Sequence, residues 1–191
     1  MLLDNKTKTE DSEFYKVFDY IKNYTEKGGL DIVTGFFSIY ALALMKDDVN
    51  QAEKFRLILG NLMQEESQLN KIIDLLNGNP SITSTFTLSA SAQKAVEFLQ
   101  QEKVQVKTIQ RNFCHAKAYI YNDKDTRKNF HIIGSSNLTD AGLGIKDSSN
   151  IELNTASTGN DNDYKEIKKW FKHQWDNIAQ EKIELPDKTK V

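Results

Sequence analysis

His115-Ala116-Lys117-Ala118-Tyr119-Ile120-Tyr121, then a polar connector, then Phe130-His131-Ile132-Ile133-Gly134-Ser135-Ser136-Asn137, is the passage on which the fold turns. Its two apolar, aromatic and β-branched runs predict adjacent strands joined by the turn-rich residues 122–128. Upstream, Val104-Gln105-Val106-Lys107-Thr108-Ile109 alternates with the period of two that a strand requires. Residues 91–101 offer Ala95, Val96, Phe98 and Leu99 as one apolar helical face, and residues 54–60 and 31–37 read as buried strands. Between those two strands Ser38 is placed to cap a helix carrying Ala41, Leu42, Ala43, Leu44 and Met45. Further helices are expected over about 10–24, ending at Lys27-Gly28-Gly29, and over about 64–76, ending before Gly78-Asn79-Pro80.

Downstream, residues 149–154 predict one more short strand. Residues 161–181 carry Tyr164, Ile167, Trp170, Phe171, Trp175 and Ile178 as a helical stripe, rimmed by Lys165, Lys168, Lys169 and Lys172. Such a stripe reads as core packing with the lysines toward solvent. Strands alternating with helices place the chain in the α/β class, as a mixed central sheet flanked by helices. Residues 1–182 read as one domain, and 183–191 as a polar tail or a linker to a downstream module.

The 191 residues, 39% apolar and 27% charged, suffice for one sizeable core and exclude wholesale disorder. A net charge of -2 gives no bulk basicity, so any nucleic-acid contact must be local. The single cysteine, Cys114, excludes an intrachain disulfide framework and points to a reducing, cytoplasmic setting. No apolar run approaches the roughly 20 residues that span a bilayer, so a membrane partner is not expected.

Three local groups carry chemistry. In an extended segment His115 and Lys117 project to the same side while Ala116 points away, which sets an imidazole beside an ammonium and suits a phosphate target. Gly134-Ser135-Ser136-Asn137 follows a strand and brings hydroxyl, amide and backbone N–H donors to an oxyanion. Glu152, in Asn150-Ile151-Glu152-Leu153-Asn154, is a carboxylate able to fix an imidazole tautomer. Singly, each has an ordinary structural explanation. His131 and His173 lack a ligand or base partner in sequence, and Cys114 is expected to be a small buried group.

Taken together, His115-x-Lys117, Gly134-Ser135-x-Asn137 and the downstream Glu152 resemble the signature of the phospholipase D (HKD) superfamily. The longer strings, including Gly142-Leu143 and Asn150-x-Glu152-Leu153-Asn154, resemble its nuclease domains in restriction enzymes and at the N-termini of some helicases. The likeness runs from about residue 14 to 178, and Asn122 stands where the fuller motif has Asp, with Asp123 following by one. The resemblance implies a phospholipase D-like sandwich and metal-independent, cofactor-free phosphodiester cleavage. His115 would be the nucleophile, Lys117 and Asn137 would hold phosphate oxygens, Ser135 would be a supporting donor, and Glu152 would orient His115. A chain with one His-x-Lys then needs a second copy to supply the second histidine, so a homodimer acting on DNA is implied, with a linked helicase module as a further partner. The alternatives are a non-catalytic DNA-binding or dimerisation module, and a lipid phosphodiesterase, which a deep apolar channel beside His115 would favour.

Overall fold

The structure is a computed structural model and describes residues 1–6, 15–60, 90–109 and 114–180. The expected helix over 64–76, the start of the expected helix over 10–24 and the tail 183–191 lie outside the described residues.

Eight strands form one mixed sheet in the order β2-β1-β8-β7-β6-β3-β4-β5. They are β1 (Leu2–Asp4), β2 (Tyr15–Lys16), β3 (Gly29–Thr34), β4 (Lys54–Leu59), β5 (Val104–Thr108), β6 (Ala118–Asn122), β7 (Phe130–Gly134) and β8 (Leu153–Thr158). β3, β4 and β5 run parallel, and the pairs β3–β6, β6–β7, β7–β8 and β8–β1 are antiparallel. The described helices are α1 (Val17–Tyr24), α2 (Ile39–Asp48), α3 (Ala90–Leu99) and α4 (Asn162–His173), the last continued by a π-helical turn at Gln174–Ile178.

Strand alternation sorts the core into two layers. Leu30 and Ile32 of β3, Phe55 and Leu57 of β4, and Tyr119 and Tyr121 of β6 face α1, α2 and α3, where they meet Val17, Ile21, Leu42, Met45 and Phe98. Val33, Ile58, Ala118 and Ile120 face the other way, onto Tyr164 and Phe171 of α4 and Trp175 beyond it. α2 starts where Ser38 Oγ accepts a hydrogen bond from the Ala41 N–H at 3.2 Å, and α4 starts where Asp161 accepts from the Tyr164 N–H at 2.8 Å. The expected sandwich of a mixed sheet between helices is the observed architecture.

Arg56 clamps α4 to its face of the sheet. Its guanidinium grips both carboxylate oxygens of buried Asp31 and lies 4.8 Å from the Phe171 ring centroid and 5.5 Å from that of Trp175.

Several expected boundaries are corrected. The strand expected over 114–121 begins only at Ala118, and the one over 31–37 spans Gly29–Thr34. The strand expected over 149–154 is instead Leu153–Thr158, because Asn5 Oδ1 takes the Glu152 N–H at 2.9 Å and Asn5 Nδ2 binds the Asn150 carbonyl at 3.2 Å, holding that segment off the ladder. Tyr15–Lys16 pairs with β1 ahead of α1, and β1 itself was not foreseen. Cys114 is half-buried rather than buried. Trp170 and Ile178, expected in the core stripe of the last helix, are 40% and 42% exposed, because α4 covers β3, β4 and β6 and leaves its own flank open.

Candidate active site

Residues 114–117 cross the C-terminal ends of β3 and β4 on their way into β6, and two glycines make room for the crossing. A Cβ on Gly60 would lie 2.8 Å from the Cys114 carbonyl and 2.9 Å from Gly35 Cα. One on Gly35 would lie 3.0 Å from the same carbonyl, 3.5 Å from Asn137 Oδ1 and 3.9 Å from His115 Cα. Small residues at both strand ends therefore set the histidine segment against the loop that carries Asn137.

His115 is exposed, whereas Lys117, two residues on, is 5% exposed. The Lys117 ammonium donates to the His115 carbonyl at 2.7 Å, which fixes the long side chain beside the histidine. Burial lowers the Lys117 pKa, and the charge of Glu152 acts in the opposite direction and raises it. Glu152 is half-buried, and its charge also pushes up the Tyr119 phenol, already raised by complete burial. The carboxylate thus stands close enough to sense both groups.

The loop after β7 is built on equally tight contacts. A Cβ on Gly134 would lie 2.4 Å from both the Leu153 carbonyl and Asn154 Oδ1, so only glycine lets β7 and β8 close at this point. Ser135 exchanges hydrogen bonds with Leu153, its N–H to the Leu153 carbonyl at 3.2 Å and its Oγ from the Leu153 N–H at 3.0 Å. Ser136 is fully buried: its N–H donates to Asn154 Oδ1 at 3.1 Å, its Oγ accepts from Asn154 Nδ2 at 2.8 Å, and its carbonyl accepts from the Tyr119 hydroxyl at 3.1 Å. Asn137 Oδ1 accepts from the Phe36 N–H at 3.1 Å and from the Thr34 hydroxyl at 3.3 Å, which orients the amide.

The structure therefore sets Lys117 against the His115 carbonyl and Asn137 beside His115 across Gly35, with Glu152 one residue before β8. Ser135 is anchored to β8 by both of its hydrogen-bonding groups. Gly35, Gly60, Ser136 and Asn154 shape the site without having been singled out in sequence; a glycine closing each of two neighbouring parallel strands is the signal that marks the first two. His131 is buried in β7 and His173 ends α4, and neither lines this site. Among the described residues no group of three or more His, Cys, Asp or Glu is arranged to hold a metal ion. No described helix is long and apolar enough to cross a membrane.

Beside this constellation lies a cleft of about 480 Å³, lined by His115, Ala116, Lys117, Ala118, Ile133, Gly134, Glu166, Ile167 and Trp170. A larger cavity of about 710 Å³ at the opposite end of β3 and β6, lined by Asp31, Arg56, Asn122 and Lys124 among others, is remote from His115.

Among solved structures the chain is similar to Nuc from Salmonella typhimurium, a phospholipase D family member. The TM-score is 0.54 at 12% identity, over 95% of this chain and 96% of that one. It is also similar to yeast tyrosyl-DNA phosphodiesterase, with a TM-score of 0.47 at 11% identity, over 82% of this chain and 30% of that one. No curated protein matches the chain in sequence. The family described as "Cardiolipin synthase, PLD-like domain" matches residues 29–175, which span the sheet from β3 onward, the His115–Lys117 segment, the Gly134–Asn137 loop, Glu152 and α4. On that match, and with a fold shared with a phospholipase D family member, the chain belongs to the phospholipase D-like (HKD) superfamily.

Proposed function

We propose that the chain is a metal-independent phosphodiesterase acting on DNA, with His115 as nucleophile and its active site completed by a second copy. The observation that carries the reading is the pairing of an exposed His115 with a buried, internally anchored Lys117, with Asn137 beside them across Gly35.

An imidazole nitrogen of His115 attacks phosphorus, a P–N bond forms and the bond to the leaving oxygen breaks. The partner copy's imidazolium gives that oxygen its proton, and the resulting neutral imidazole then takes a proton from water as the water displaces the histidine from phosphorus. Lys117 and Asn137 Nδ2 neutralise the oxygens on which charge accumulates; because Lys117 is already desolvated, its charge acts through a low local dielectric. Ser135 contributes a supporting hydroxyl. Glu152 holds the reactive tautomer of His115 and partly offsets the desolvation that lowers the Lys117 pKa.

The second copy is supported by composition and by surface. The chain has one His-x-Lys. Leu2 and Leu153 share a sheet face on paired strands β1 and β8, they are 46% and 61% exposed, and Ile151 beside Glu152 is 78% exposed. An uncovered apolar strip next to the carboxylate suits a subunit contact. A further linked module, such as a helicase, fits the same reading.

The test is cleavage of labelled single- and double-stranded DNA in EDTA by the native protein and by His115→Ala at matched concentration. Products lost in the variant, together with a covalent protein–DNA adduct in the native protein alone, are the expected result. DNA binding without scission by either protein would replace the nuclease by a non-catalytic DNA-binding module.

A further inference from the structure

We infer that Trp170 stacks on an unpaired nucleobase next to the scissile phosphate, which makes single-stranded or locally opened nucleic acid the substrate class of this site; the inference rests on the phosphodiesterase reading above. Trp170 sits on the same helix as Tyr164 and Phe171, which are 1% and 0% exposed in the core, yet its indole is 40% exposed. Glu166 and Ile167, four and three residues earlier, share its side of α4, and all three line the cleft that runs to His115 and Lys117. Ile133, 40% exposed on β7, forms the facing apolar wall.

The charges in this cleft select its occupant. His115 and Lys117 are its basic lining residues and draw an anion. Glu166 is its acidic lining residue; the carboxylate repels phosphate and carboxylate alike, and it accepts hydrogen bonds from exocyclic or ring N–H groups. A neutral, flat, partly polar group attached to a phosphate suits a lining that holds both charges and the Trp170 indole, and a nucleobase has that chemistry. Lys165 and Lys169 are exposed on the adjoining face of α4, where cations serve the neighbouring phosphates of a strand. A base inside a duplex is already covered on both faces, so an indole gains only from one that is unpaired.

The test measures affinity for a short labelled single strand, for the same strand with abasic residues flanking the central phosphate, and for the duplex, in EDTA at fixed salt. Native protein, Trp170→Ala and Trp170→Phe are compared, with sedimentation of each variant. Loss of one stacked base weakens binding on the order of 10-fold. Trp170→Ala is therefore expected to lose about that factor on the base-bearing strand, with little change on the abasic strand or the duplex, and Trp170→Phe is expected to recover most of it. Equal affinities of native protein and Trp170→Ala, or equal losses on base-bearing and abasic strands, would overturn the inference. So would an indole fluorescence response to phosphatidylglycerol vesicles in place of DNA, which would assign the cleft to an acyl chain, or dissociation of Trp170→Ala to monomers, which would assign it to the second copy. Base-dependent binding by a native protein that cleaves nothing would sustain stacking and remove the hydrolytic reading, whereas cleavage with base-independent binding would do the reverse.

Discussion

Asn122 bridges Tyr164 and Asp31: its Oδ1 accepts from the Tyr164 hydroxyl at 2.6 Å and its Nδ2 donates to Asp31 Oδ2 at 3.3 Å. Asp31 is 2% exposed and already engaged by Arg56, so the position that carries Asp in the fuller family motif here faces a buried carboxylate from the neighbouring strand. An amide satisfies both neighbours, whereas a carboxylate would remove the donor to Asp31 and set like charges together. Asn122→Asp is expected to destabilise the fold by about 1–3 kcal/mol at pH 7. The introduced carboxyl has a folded-state pKa raised above its unfolded value, so the deficit is largest above the folded value and shrinks as pH falls through it. The check is urea denaturation of Asn122→Asp across pH; a variant as stable as the native protein at neutral pH would remove this account of the substitution.

Lys117 connects burial to the pH profile. Desolvation lowers its pKa and Glu152 partly offsets that, so the alkaline fall in activity should lie below the usual lysine value of 10.5. Glu152→Gln removes the offsetting charge, lowers the Lys117 pKa further and is expected to move the alkaline limb to lower pH, as well as reducing kcat through the loss of His115 orientation. A kcat loss with an unmoved alkaline limb would break the link between Glu152 and Lys117.

The same burial makes Lys117→Met informative. The buried ammonium is desolvated, so the cost to folding is full below the lowered pKa, shrinks as pH rises through it, and is gone only above the ordinary lysine value of 10.5. A thioether removes the cost at neutral pH while discarding the phosphate contact. Thermal stability at pH 7 is expected to hold or rise, with cleavage down roughly 10²–10³-fold. Unfolding of the variant would assign Lys117 to the fold rather than to the chemistry.

Gly60 and Gly29, at opposite ends of the paired strands β4 and β3, form a matched pair for testing the crossing of the histidine segment. A methyl group on Gly60 meets two backbone atoms within 2.9 Å, the Cys114 carbonyl and Gly35 Cα, and relief needs one of those segments to move, while a methyl on Gly29 meets nothing nearer than 3.7 Å. Gly60→Ala is expected to cost about 1–3 kcal/mol and to lower kcat on the order of 10²-fold by displacing His115. Gly29→Ala should leave kcat unchanged. Equal kcat values for both variants would show that the crossing does not position the nucleophile.

What was legible in the sequence was local. Alternation from Val104 to Ile109 and the spacing of His115, Lys117, Gly134 and Asn137 need only neighbours along the chain; β5 and β7 fall close to where the pattern puts them, while His115 and Lys117 precede β6. The errors arise from contacts far apart in sequence. β1 has three residues and is held by Asn154 and its neighbours on β8, and Asn5 keeps residues 150–152 off the ladder that their composition suggests. The stripe through Trp170 identifies a helix face, but its exposure depends on how far the sheet extends beneath α4. The partner of Asn122 lies 91 residues away, so the meaning of that departure from the family motif emerges only in the fold.

Ser136 and Asn154 supply the last prediction, because they hold the loop that carries Asn137. Ser136→Ala removes one hydrogen bond, that from Asn154 Nδ2 at 2.8 Å, and leaves the amide donor of Asn154 buried. Asn154→Ala removes that bond and also orphans the Ser136 N–H, a fully buried donor at the turn leading to Asn137. Each buried group left unsatisfied costs about 1–3 kcal/mol, so Asn154→Ala should be the more destabilising single change. The double variant should cost less than the sum of the two singles, since both lose the same side-chain bond. With the loop loosened, Asn137 loses its fixed position, and KM for DNA is expected to rise in Asn154→Ala more than in Ser136→Ala. Additive stability losses in the double-mutant cycle would mean that the two side chains act independently, and an unchanged KM in Asn154→Ala would place the anchoring of Asn137 on the Phe36 N–H and the Thr34 hydroxyl.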